Sequence, residues 1–550
     1  MMLIQNTSLL LFVLVDLTTA KFPAWSTAPN LQASFRYLPP HGKRAEGTLT
    51  EVALSNTTAV RFKETKICET TAGVKSYSGY VHLGDVHTFF WFFEARKDAE
   101  TAPVTLWLNG GPGSDSLIGL FTEIGPCKIN PDLTTTLNPS SWNEESNLLF
   151  LSQPIGVGFS HGAAPGSDEG EPDWSGIQGV NVTQVDRTEA AAIVAWHTVQ
   201  AILEKLPDIG SDVQSREFHL WTESYGGHYG PAFYRHFQKQ NYRIRGGEVE
   251  GIELELRTLG IGNGIIDAAT QFPFYPNYAA NNTYSTDALD EKWIDYMTTA
   301  CYMVNGCLDQ LWRCKQSFSQ NSEGVETRAL CSQAANMCRD NVEGPYYAYS
   351  ERSMYDVRRG SNFQAYPDFF VKYLNLPETQ EALGVDIEFE YQESSYDVYL
   401  NFQHSGDYAY PGFLEDLEYL LDKEIRVLLV YGDADYIGNW LGGEAVSLAL
   451  NHAQAPFFRA SAYRPLTSGG EEHGKAREFG SLGFAVVRAA GHLVPIDKPG
   501  VALDIFRRAI RGKDLASGEK ERADMVEIPF APDVPWEPEG EGGGEDAHGE

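Results

Sequence analysis

Six short apolar runs constrain the fold of this chain more than any other feature of its sequence. Each run is rich in branched or aromatic residues and ends in a turn with glycine or acidic residues: VTLWLNGGPG, NLLFLSQPIGVGFS, EFHLWTES, RTLGIGNG, IRVLLVYGDAD and FAVVRAAGHLVP. Helical patterns such as Asp186 to Leu206 lie between them. Short β-rich runs that alternate with helical segments indicate β-α units and a largely parallel sheet.

The residues that suit chemistry stand where these runs end, and chemistry in parallel sheets collects at the C-terminal strand ends. Ser224 lies in the strand-to-helix turn WTESYGGH, Asp435 ends IRVLLVYGDAD, and His492 follows in AAGHLVP. Each has an ordinary alternative, as a turn serine, a helix-capping acid or a structural histidine. Together, in the chain order Ser, Asp, His of α/β-hydrolases, they predict a catalytic triad in which a base activates the serine.

The chain divides into five segments by composition and pattern. Residues 1–20 are the apolar leader described below, and 21–265 and 353–512 form the two parts of the core. Between these parts, 266–352 contains cysteine-bearing helical patterns without a strand run, which we interpret as an insertion that caps the sheet. Residues 513–550 are rich in Glu, Gly and Pro, which predicts a solvated, disordered tail.

The N-terminal segment resembles a secretory signal peptide. Its apolar centre is followed by the small residues of TTA, although a short buried helix is the alternative. No other segment has the length of a membrane span. In a secreted chain, Asn56, Asn181 and Asn281 begin acceptor triplets for glycosylation. Lys43-Arg44 is either a processing site or part of an ordinary exposed loop.

The cysteine spacing predicts a disulfide framework. The seven cysteines are Cys68, Cys127, Cys301, Cys307, Cys314, Cys331 and Cys338. Two pairs are each seven residues apart, so on helices each pair lies on one face. If these helices pack antiparallel, Cys307 meets Cys338 and Cys314 meets Cys331. Cys68 then pairs with Cys127, Cys301 is left over, and the compartment is oxidising.

Composition and motif searches exclude several classes of function. The chain is globular in composition, with 42% hydrophobic residues, and its formal net charge of -33 argues against nucleic-acid binding, which needs a basic surface. Neither a zinc-type H-E-x-x-H nor a phosphate-binding G-x-x-x-x-G-K-[ST] is present. We therefore predict neither a metal site nor a cofactor.

Four motifs in order resemble the serine carboxypeptidase family of α/β-hydrolases: WLNGGPGSDSLIGLFTEIGP, WTESYGGHYGP, YGDADYIGNWL and GHLVP. The resemblance covers roughly Tyr77 to Gly512, and ICETT at Ile67 to Thr71 looks most like the secreted branch from filamentous fungi. It implies an α/β-hydrolase fold, with a central mostly parallel sheet flanked by helices. The implied activity is the release of single C-terminal residues from peptides and proteins through an acyl-enzyme, best at acidic pH. Such a protein is secreted or, alternatively, vacuolar.

The resemblance also assigns catalytic roles. Ser224 is similar to the family nucleophile, His492 to the general base and acid, and Asp435 to the carboxylate that orients the histidine. The backbone N–H groups of Gly111 and Tyr225 would form the oxyanion hole.

Recognition of a free C-terminal carboxylate makes an exopeptidase out of a hydrolase. By resemblance, Asn109, Glu123 and Glu223 take this role, with Trp107 and the backbone of Gly110 nearby. Two acids suit an anion only if they are buried and adjacent, because repulsion then keeps at least one of them protonated and able to donate. We therefore expect peptide hydrolysis to weaken as the pair ionises, chiefly through KM.

The sequence departs from the family pattern at several positions. Thr222 stands where glycine is usual in the nucleophile turn, so either the turn is wider or a neighbour is smaller. Ser114 and Ser394 occupy both positions of a common disulfide. Ser152 replaces the acid of a common D-Q-P sequence, and Leu493 replaces a frequent methionine beside the histidine and could alter the leaving-residue pocket.

Two other functions use the same fold. An acyltransferase or esterase would use the same triad, but an ester substrate need not present a carboxylate to Asn109, Glu123 and Glu223. A catalytically silent binding protein would be expected to lose a triad residue, and none is lost. The sequence leaves open the side-chain preference on either side of the scissile bond and the oligomeric state.

Overall fold

The computed structural model describes residues 50–54, 58–84, 86–162, 185–284, 288–322, 324–385 and 390–521. Four sequence predictions fall wholly or mainly outside these residues. They are the signal peptide 1–20, the Lys43-Arg44 site, the acceptors Asn56 and Asn181, and the acidic tail 513–550, of which only residues 513–521 are described.

Each of the six apolar runs contains one strand of a large mixed sheet. The strands of the described residues are β1 (Thr50–Ala53), β2 (Thr58–Glu64), β3 (Ser76–Leu83), β4 (Val86–Phe93), β5 (Val104–Leu108), β6 (Cys127–Ile129), β7 (Thr135–Leu137), β8 (Asn147–Leu151), β9 (His161–Gly162), β10 (Glu217–Glu223), β11 (Glu255–Gly262), β12 (Arg426–Gly432), β13 (Arg464–Ser468), β14 (Glu471–Phe479) and β15 (Leu482–Val487). Strands β6 and β7 form a separate two-stranded antiparallel sheet, and the others belong to the large sheet.

The centre of the sheet is parallel and both margins are antiparallel. Strands β8, β5, β10, β11, β12 and β15 are adjacent in this order and run parallel. The antiparallel strands β4, β3, β2 and β1 extend one side, and β14 and β13 extend the other. The predicted parallel sheet is confirmed for the centre, whereas the antiparallel margins, whose neighbours can be joined by short turns, were not predicted.

Helices lie on both faces of the large sheet. They are α1 (Leu117–Gly119, continued by a π turn at Leu120–Ile124), α2 (Thr188–Lys205), α3 (Gly226–Arg245), α4 (Ala268–Gln271), α5 (Phe274–Ala280), α6 (Glu291–Tyr302), α7 (Cys307–Gln320), α8 (Val325–Cys338), α9 (Gly344–Tyr349), α10 (Phe369–Leu374), α11 (Pro377–Leu383), α12 (Tyr396–Ser405), α13 (Phe413–Asp422), α14 (Trp440–Ala449), α15 (Ala455–Ala460), α16 (Val494–Asp497) and α17 (Pro499–Ile510).

The sheet separates two hydrophobic cores. In β5, Leu106 and Leu108 belong to the core that contains α2 and α3, while Trp107 belongs to the core that contains α17. All five residues of β5 are buried. A strand covered on both faces has a continuous apolar sequence rather than an alternating one, which explains the runs that the sequence shows. The predicted α/β class, with a sheet flanked by helices, is confirmed.

Helices fill the chain between β11 and β12, and the predicted insertion at 266–352 is the first part of this segment. Within it, α7 and α8 are joined by the disulfides Cys307–Cys338 and Cys314–Cys331. This is the pairing expected from their seven-residue spacing on antiparallel helices. Cys68 pairs with Cys127, and Cys301 is a buried free thiol. Within the described ranges, none of the helices has the length and apolar character that crossing a membrane requires.

Candidate active site

Ser224 occupies a sharp turn between β10 and α3. Its φ of 61° lies in the left-handed region, which a residue other than glycine adopts only when surrounding contacts hold it there. Three backbone hydrogen bonds do so: Ser224 N–H donates to Gly262 O at 2.9 Å, and Ser224 O accepts from the N–H groups of Gly227 and Ile265 at 2.9 Å each. The turn places a partly exposed serine at the C-terminal edge of the sheet.

Asp435 and His492 meet at the same edge. They follow β12 and β15, which are parallel neighbours, and Asp435 Oδ2 lies 2.7 Å from His492 Nδ1. Asn263, which follows β11, donates to Asp435 Oδ2 at 2.8 Å, and Gly438 N–H donates to the same oxygen at 3.1 Å. These donors fix the carboxylate, and the carboxylate orients the imidazole. Among the described residues the Ser224 hydroxyl makes no hydrogen bond, as is common in enzymes without bound substrate.

The other acid of the GDAD sequence has a different environment. Asp433 Oδ1 accepts from the Tyr284 hydroxyl at 2.6 Å and from Ala489 N–H at 2.8 Å. Asp433 therefore holds the chain between β15 and His492, whereas Asp435 contacts the imidazole.

A glycine-rich loop lies against the serine turn. A Cβ atom added at Gly110 would collide with the backbone nitrogen of Tyr225 and come within 2.6 Å of Glu223 O, so only glycine permits this approach. Gly111 follows with φ of 111°. Tyr225 stands at the start of α3, where a backbone N–H has no partner within the helix. The geometry thus brings the loop that carries Gly111 beside the N–H of Tyr225.

The structure explains how Thr222 fits into the turn. The Thr222 hydroxyl donates to Gly226 O at 2.8 Å. A Cβ atom at Gly226 would lie 2.5 Å from Thr222 Cβ, and one at Gly230 would lie 3.0 Å from Thr222 Oγ1. Of the two arrangements expected from the sequence, the observed one has a smaller neighbour, since glycines of α3 make room for the threonine.

We therefore expect Gly226→Ala to lower kcat/KM by about tenfold or more. The added methyl overpacks the turn, which typically costs about 1–3 kcal/mol, and small displacements of a nucleophile are costly in rate. The additional change Thr222→Gly removes the clashing atoms and should restore most of the loss. Peptidase kinetics and thermal unfolding of the single and double variants measure this.

Gly500→Ala is the matched control, because a Cβ atom there meets no atom within 4 Å. Unchanged kinetics in Gly226→Ala, or a double variant no better than the single one, would contradict this account of the turn.

A buried polar group lies beside this glycine-rich loop. Asn109 Oδ1 accepts from Trp107 Nε1 at 2.8 Å and from Gly119 N–H at 2.9 Å, which directs the amide nitrogen to the two acids. Asn109 Nδ2 donates to Glu223 Oε1 at 3.2 Å and to Glu123 Oε1 at 3.4 Å. In the parallel pairing of β5 with β10, Trp107 lies opposite Trp221. Asn109 and Glu223 each follow two residues later, so they lie at the same height along the two strands.

The two glutamates form one coupled acid pair. Glu123 and Glu223 are 1% and 3% exposed. Burial raises the pKa of Glu123, and burial together with the adjacent Glu123 carboxyl raises the pKa of Glu223 well above its usual range. The pair therefore keeps a proton in acid. Glu123 Oε2 is buried and has no partner among the described residues.

Two other departures from the family pattern, the Ser114 and Ser394 pair and Ser152, have structural counterparts. Ser114 and Ser394 face each other in an antiparallel bridge with their hydroxyl oxygens 3.3 Å apart, so a hydrogen bond replaces the disulfide. A Cβ atom at Gly158 would meet both the Asp115 carboxyl and Ser152 Oγ. A carboxyl thus remains at the site where Ser152 lacks one, and burial raises the pKa of Asp115 to about 7.

Sequence reasoning missed two residues that hold the site. Asn263 stands at the end of a predicted strand, and its place on the same sheet edge as Asp435 was the available signal. For Asp407 the sequence contains no such signal, because it lies 182 residues from Tyr225. Its Oδ2 nevertheless accepts hydrogen bonds from the Tyr225 hydroxyl and from the Thr188 hydroxyl, each at 2.6 Å. Asp407 thereby ties the start of α3 to the start of α2.

Comparison with known proteins agrees with this geometry. A family profile described as "Serine carboxypeptidase" matches residues 67–512. The chain is 40% identical to carboxypeptidase S1 homolog B of Arthroderma otae, over 86% of this chain and 79% of that protein. It is 37% identical to carboxypeptidase S1 of Penicillium janthinellum, over 83% and 99%. The crystal structure of Kex1Δp, a prohormone-processing carboxypeptidase from Saccharomyces cerevisiae, has a similar fold, with a TM-score of 0.59 and 22% identity over 78% of this chain and 90% of that one.

Proposed function

The chain belongs to the serine carboxypeptidase family, and from this premise we propose that it releases single C-terminal residues from peptides and proteins through an acyl-enzyme on Ser224. It is a serine-type carboxypeptidase, and the comparisons give no support for the acyltransferase or esterase alternative.

In the first half-reaction His492 takes the proton of Ser224 as Ser224 Oγ attacks the carbonyl carbon of the last peptide bond. Asn263 and Gly438 fix the carboxylate of Asp435, and this carboxylate holds Nδ1 of the His492 imidazole. The other ring nitrogen, Nε2, is then free to exchange protons with Ser224 and the substrate. The N–H groups of Gly111 and Tyr225 stabilise the negative oxygen that forms.

The first half-reaction ends when the C–N bond breaks and His492 gives its proton to the departing amine, which leaves the acyl group on Ser224 Oγ. In the second half-reaction a water molecule takes the place of the released amino acid. His492 removes a proton from this water, whose oxygen attacks the acyl carbon on Ser224. The intermediate collapses, the proton returns to Ser224 Oγ, and the shortened peptide leaves as a carboxylic acid. Atoms and charge balance without a metal ion or a cofactor.

The buried set Asn109, Glu123 and Glu223 carries the exopeptidase part of the proposal. It lies directly beside the serine turn and offers an amide donor together with an acid pair that retains a proton. A terminal carboxylate can accept hydrogen bonds from both groups, while an internal peptide bond would leave the buried acids unmatched. This arrangement limits cleavage to the last residue.

We also propose that the protein works in an oxidising compartment, secreted or alternatively vacuolar. Three disulfides and the exposed acceptor Asn281 support this, since disulfides persist in such compartments. Asn56, Asn181 and the processing site at Lys43-Arg44 remain sequence predictions.

The test is hydrolysis of an N-terminally blocked peptide and of its C-terminal amide at about pH 4.5, near the reference range of carboxyl groups, with products identified by mass. We expect stepwise loss of single C-terminal residues from the acid and at least tenfold slower release from the amide. Equal cleavage of both substrates would contradict the role of Asn109 and the glutamates, and no cleavage of either would contradict the proposed function.

A further inference from the structure

Glu393 is a carboxyl near the catalytic loop that the mechanism above does not use. Its backbone carbonyl accepts from Asp115 N–H at 2.9 Å, which places it against the loop that carries Gly111. The residue is half-buried, and its Oε2 atom is buried without a hydrogen-bond partner among the described residues. A buried carboxyl oxygen without a donor is unfavourable, so the position suits a donor supplied by a bound molecule.

The surroundings of Glu393 are aromatic and acidic. Burial raises the pKa of Tyr366, and Glu393 contributes to this rise. Burial also raises the pKa of Tyr391, with contributions from Asp115 and Glu393. Both tyrosines therefore interact electrostatically with Glu393. The charge that acts on Glu393 is another acid, Asp368, which is paired at the surface with Lys372 at 2.8 Å. No lysine or arginine forms an ion pair with Glu393 in the described part of the chain.

Two tyrosines connect Glu393 with the place of the leaving residue. Tyr366 is also influenced by Glu123 and Glu223, the acids that take the terminal carboxylate. The ring of Tyr355 lies 5.1 Å from the imidazole of His492, which protonates the leaving amine. Tyr355 is influenced by both Glu223 and Glu393. Carboxylate and amine belong to the same departing residue, so its side chain would extend between these tyrosines towards Glu393.

We propose that Glu393 selects peptides whose C-terminal residue is lysine or arginine, by pairing its carboxylate with the cation of the leaving side chain. The inference rests on the proposed function and specifies its substrate class. A cationic side chain would supply the donor that Oε2 lacks, in a charge-assisted hydrogen bond. Its aliphatic stem and charge also suit the tyrosine rings of Tyr366 and Tyr355.

The test compares kcat/KM at pH 7 for two blocked peptides that differ only in their last residue, lysine or norleucine, which has a neutral side chain of similar shape. In the wild type we expect the lysine peptide to be preferred by about tenfold or more, a usual range for one charge-assisted contact. In Glu393→Gln the preference should fall at least tenfold, with the norleucine peptide changed by less than about twofold. Glu390→Gln, an exposed glutamate three residues earlier, should retain the wild-type ratio.

The pH dependence of the same ratio gives a second readout. Burial and Asp368 raise the pKa of Glu393 to about 7, so the lysine preference should increase from pH 5 to pH 8 as the carboxyl ionises. Tyr355, Tyr366 and Tyr391 interact electrostatically with the same group, and burial raises the pKa of each hydroxyl, so they stay neutral. Ionisation of the Glu123 and Glu223 pair affects both peptides alike and cancels in the ratio. In Glu393→Gln the ratio should not depend on pH.

Three results would overturn the inference. They are a lysine to norleucine ratio that Glu393→Gln leaves unchanged, an equal fall for both peptides, and a change confined to peptides varied at the penultimate residue. In each case hydrolysis of the norleucine peptide by the wild type still supports the proposed function. If the wild type hydrolyses neither peptide, the proposed function fails and this inference fails with it.

Discussion

Ser224→Ala is expected to lower kcat by about 10⁶-fold, since removal of the nucleophile from a catalytic triad has an effect of this size. The hydroxyl is the group expected to form the acyl-enzyme, and the hydroxyls of Thr222 and Tyr225 in the same turn donate to Gly226 O and to Asp407 instead. Asp435→Asn should lower kcat by about 10⁴-fold, because an amide favours the wrong tautomer of the imidazole. Peptide hydrolysis followed by mass, with active-site titration, measures both effects.

The control for this prediction is Ser319→Ala, which removes an exposed hydroxyl on α7. Ser224→Ala and Ser319→Ala should unfold at nearly the wild-type temperature, since the Ser224 hydroxyl makes no hydrogen bond among the described residues and Ser319 is exposed. Peptidase activity of Ser224→Ala within tenfold of the wild type would mean that another group attacks the substrate.

The second large effect concerns KM and pH. KM for a peptide acid is expected to rise at least tenfold between pH 4.5 and pH 7.5, because burial and Glu123 raise the pKa of Glu223 and its proton is lost in this direction. One pKa unit corresponds to about 1.4 kcal/mol between the two protonation states. Once ionised, the pair repels the carboxylate that it binds in acid. Steady-state kinetics at several pH values separate this rise in KM from any change in kcat.

Glu223→Gln is the matched variant for this effect. Its amide has the shape of the acid and donates a hydrogen bond at every pH, so KM should become nearly independent of pH. The peptide amide should likewise show little change in KM in the wild type. A KM for the acid that stays constant from pH 4.5 to pH 7.5, or one that rises equally in Glu223→Gln, would contradict carboxylate recognition by the acid pair.

The stability of the fold should depend on pH in the same direction as substrate binding. A carboxyl whose pKa is raised in the folded state binds its proton more tightly there than in the unfolded chain. It therefore stabilises the fold in acid, and this contribution declines as pH rises through the folded pKa of the pair. The acid pair thus favours an acidic environment for folding as well as for binding.

The local patterns of this sequence were enough to predict several features. The apolar runs predicted the central strands, because side chains buried on both faces leave an unbroken hydrophobic signal. The seven-residue cysteine spacing predicted two disulfides, because that spacing places residues on one face of a helix. The position of Ser224, Asp435 and His492 after strands predicted a common sheet edge, since parallel strands end at the same side.

Only the tertiary structure decided which distant residues complete the site. The contacts of Asn109 with Glu223, of Tyr225 with Asp407 and of Ser114 with Ser394 join residues 114, 182 and 280 positions apart. The glycines that accommodate Thr222 and the neighbours of Glu393 likewise became visible only in the fold. Hydrophobic periodicity reports the environment of each short segment, whereas the order in which strands cross over and lie side by side determines which segments meet. The sequence by itself therefore determined the class of fold and the candidates for the reacting groups, and the packing of the sheet determined which residues lie around these candidates.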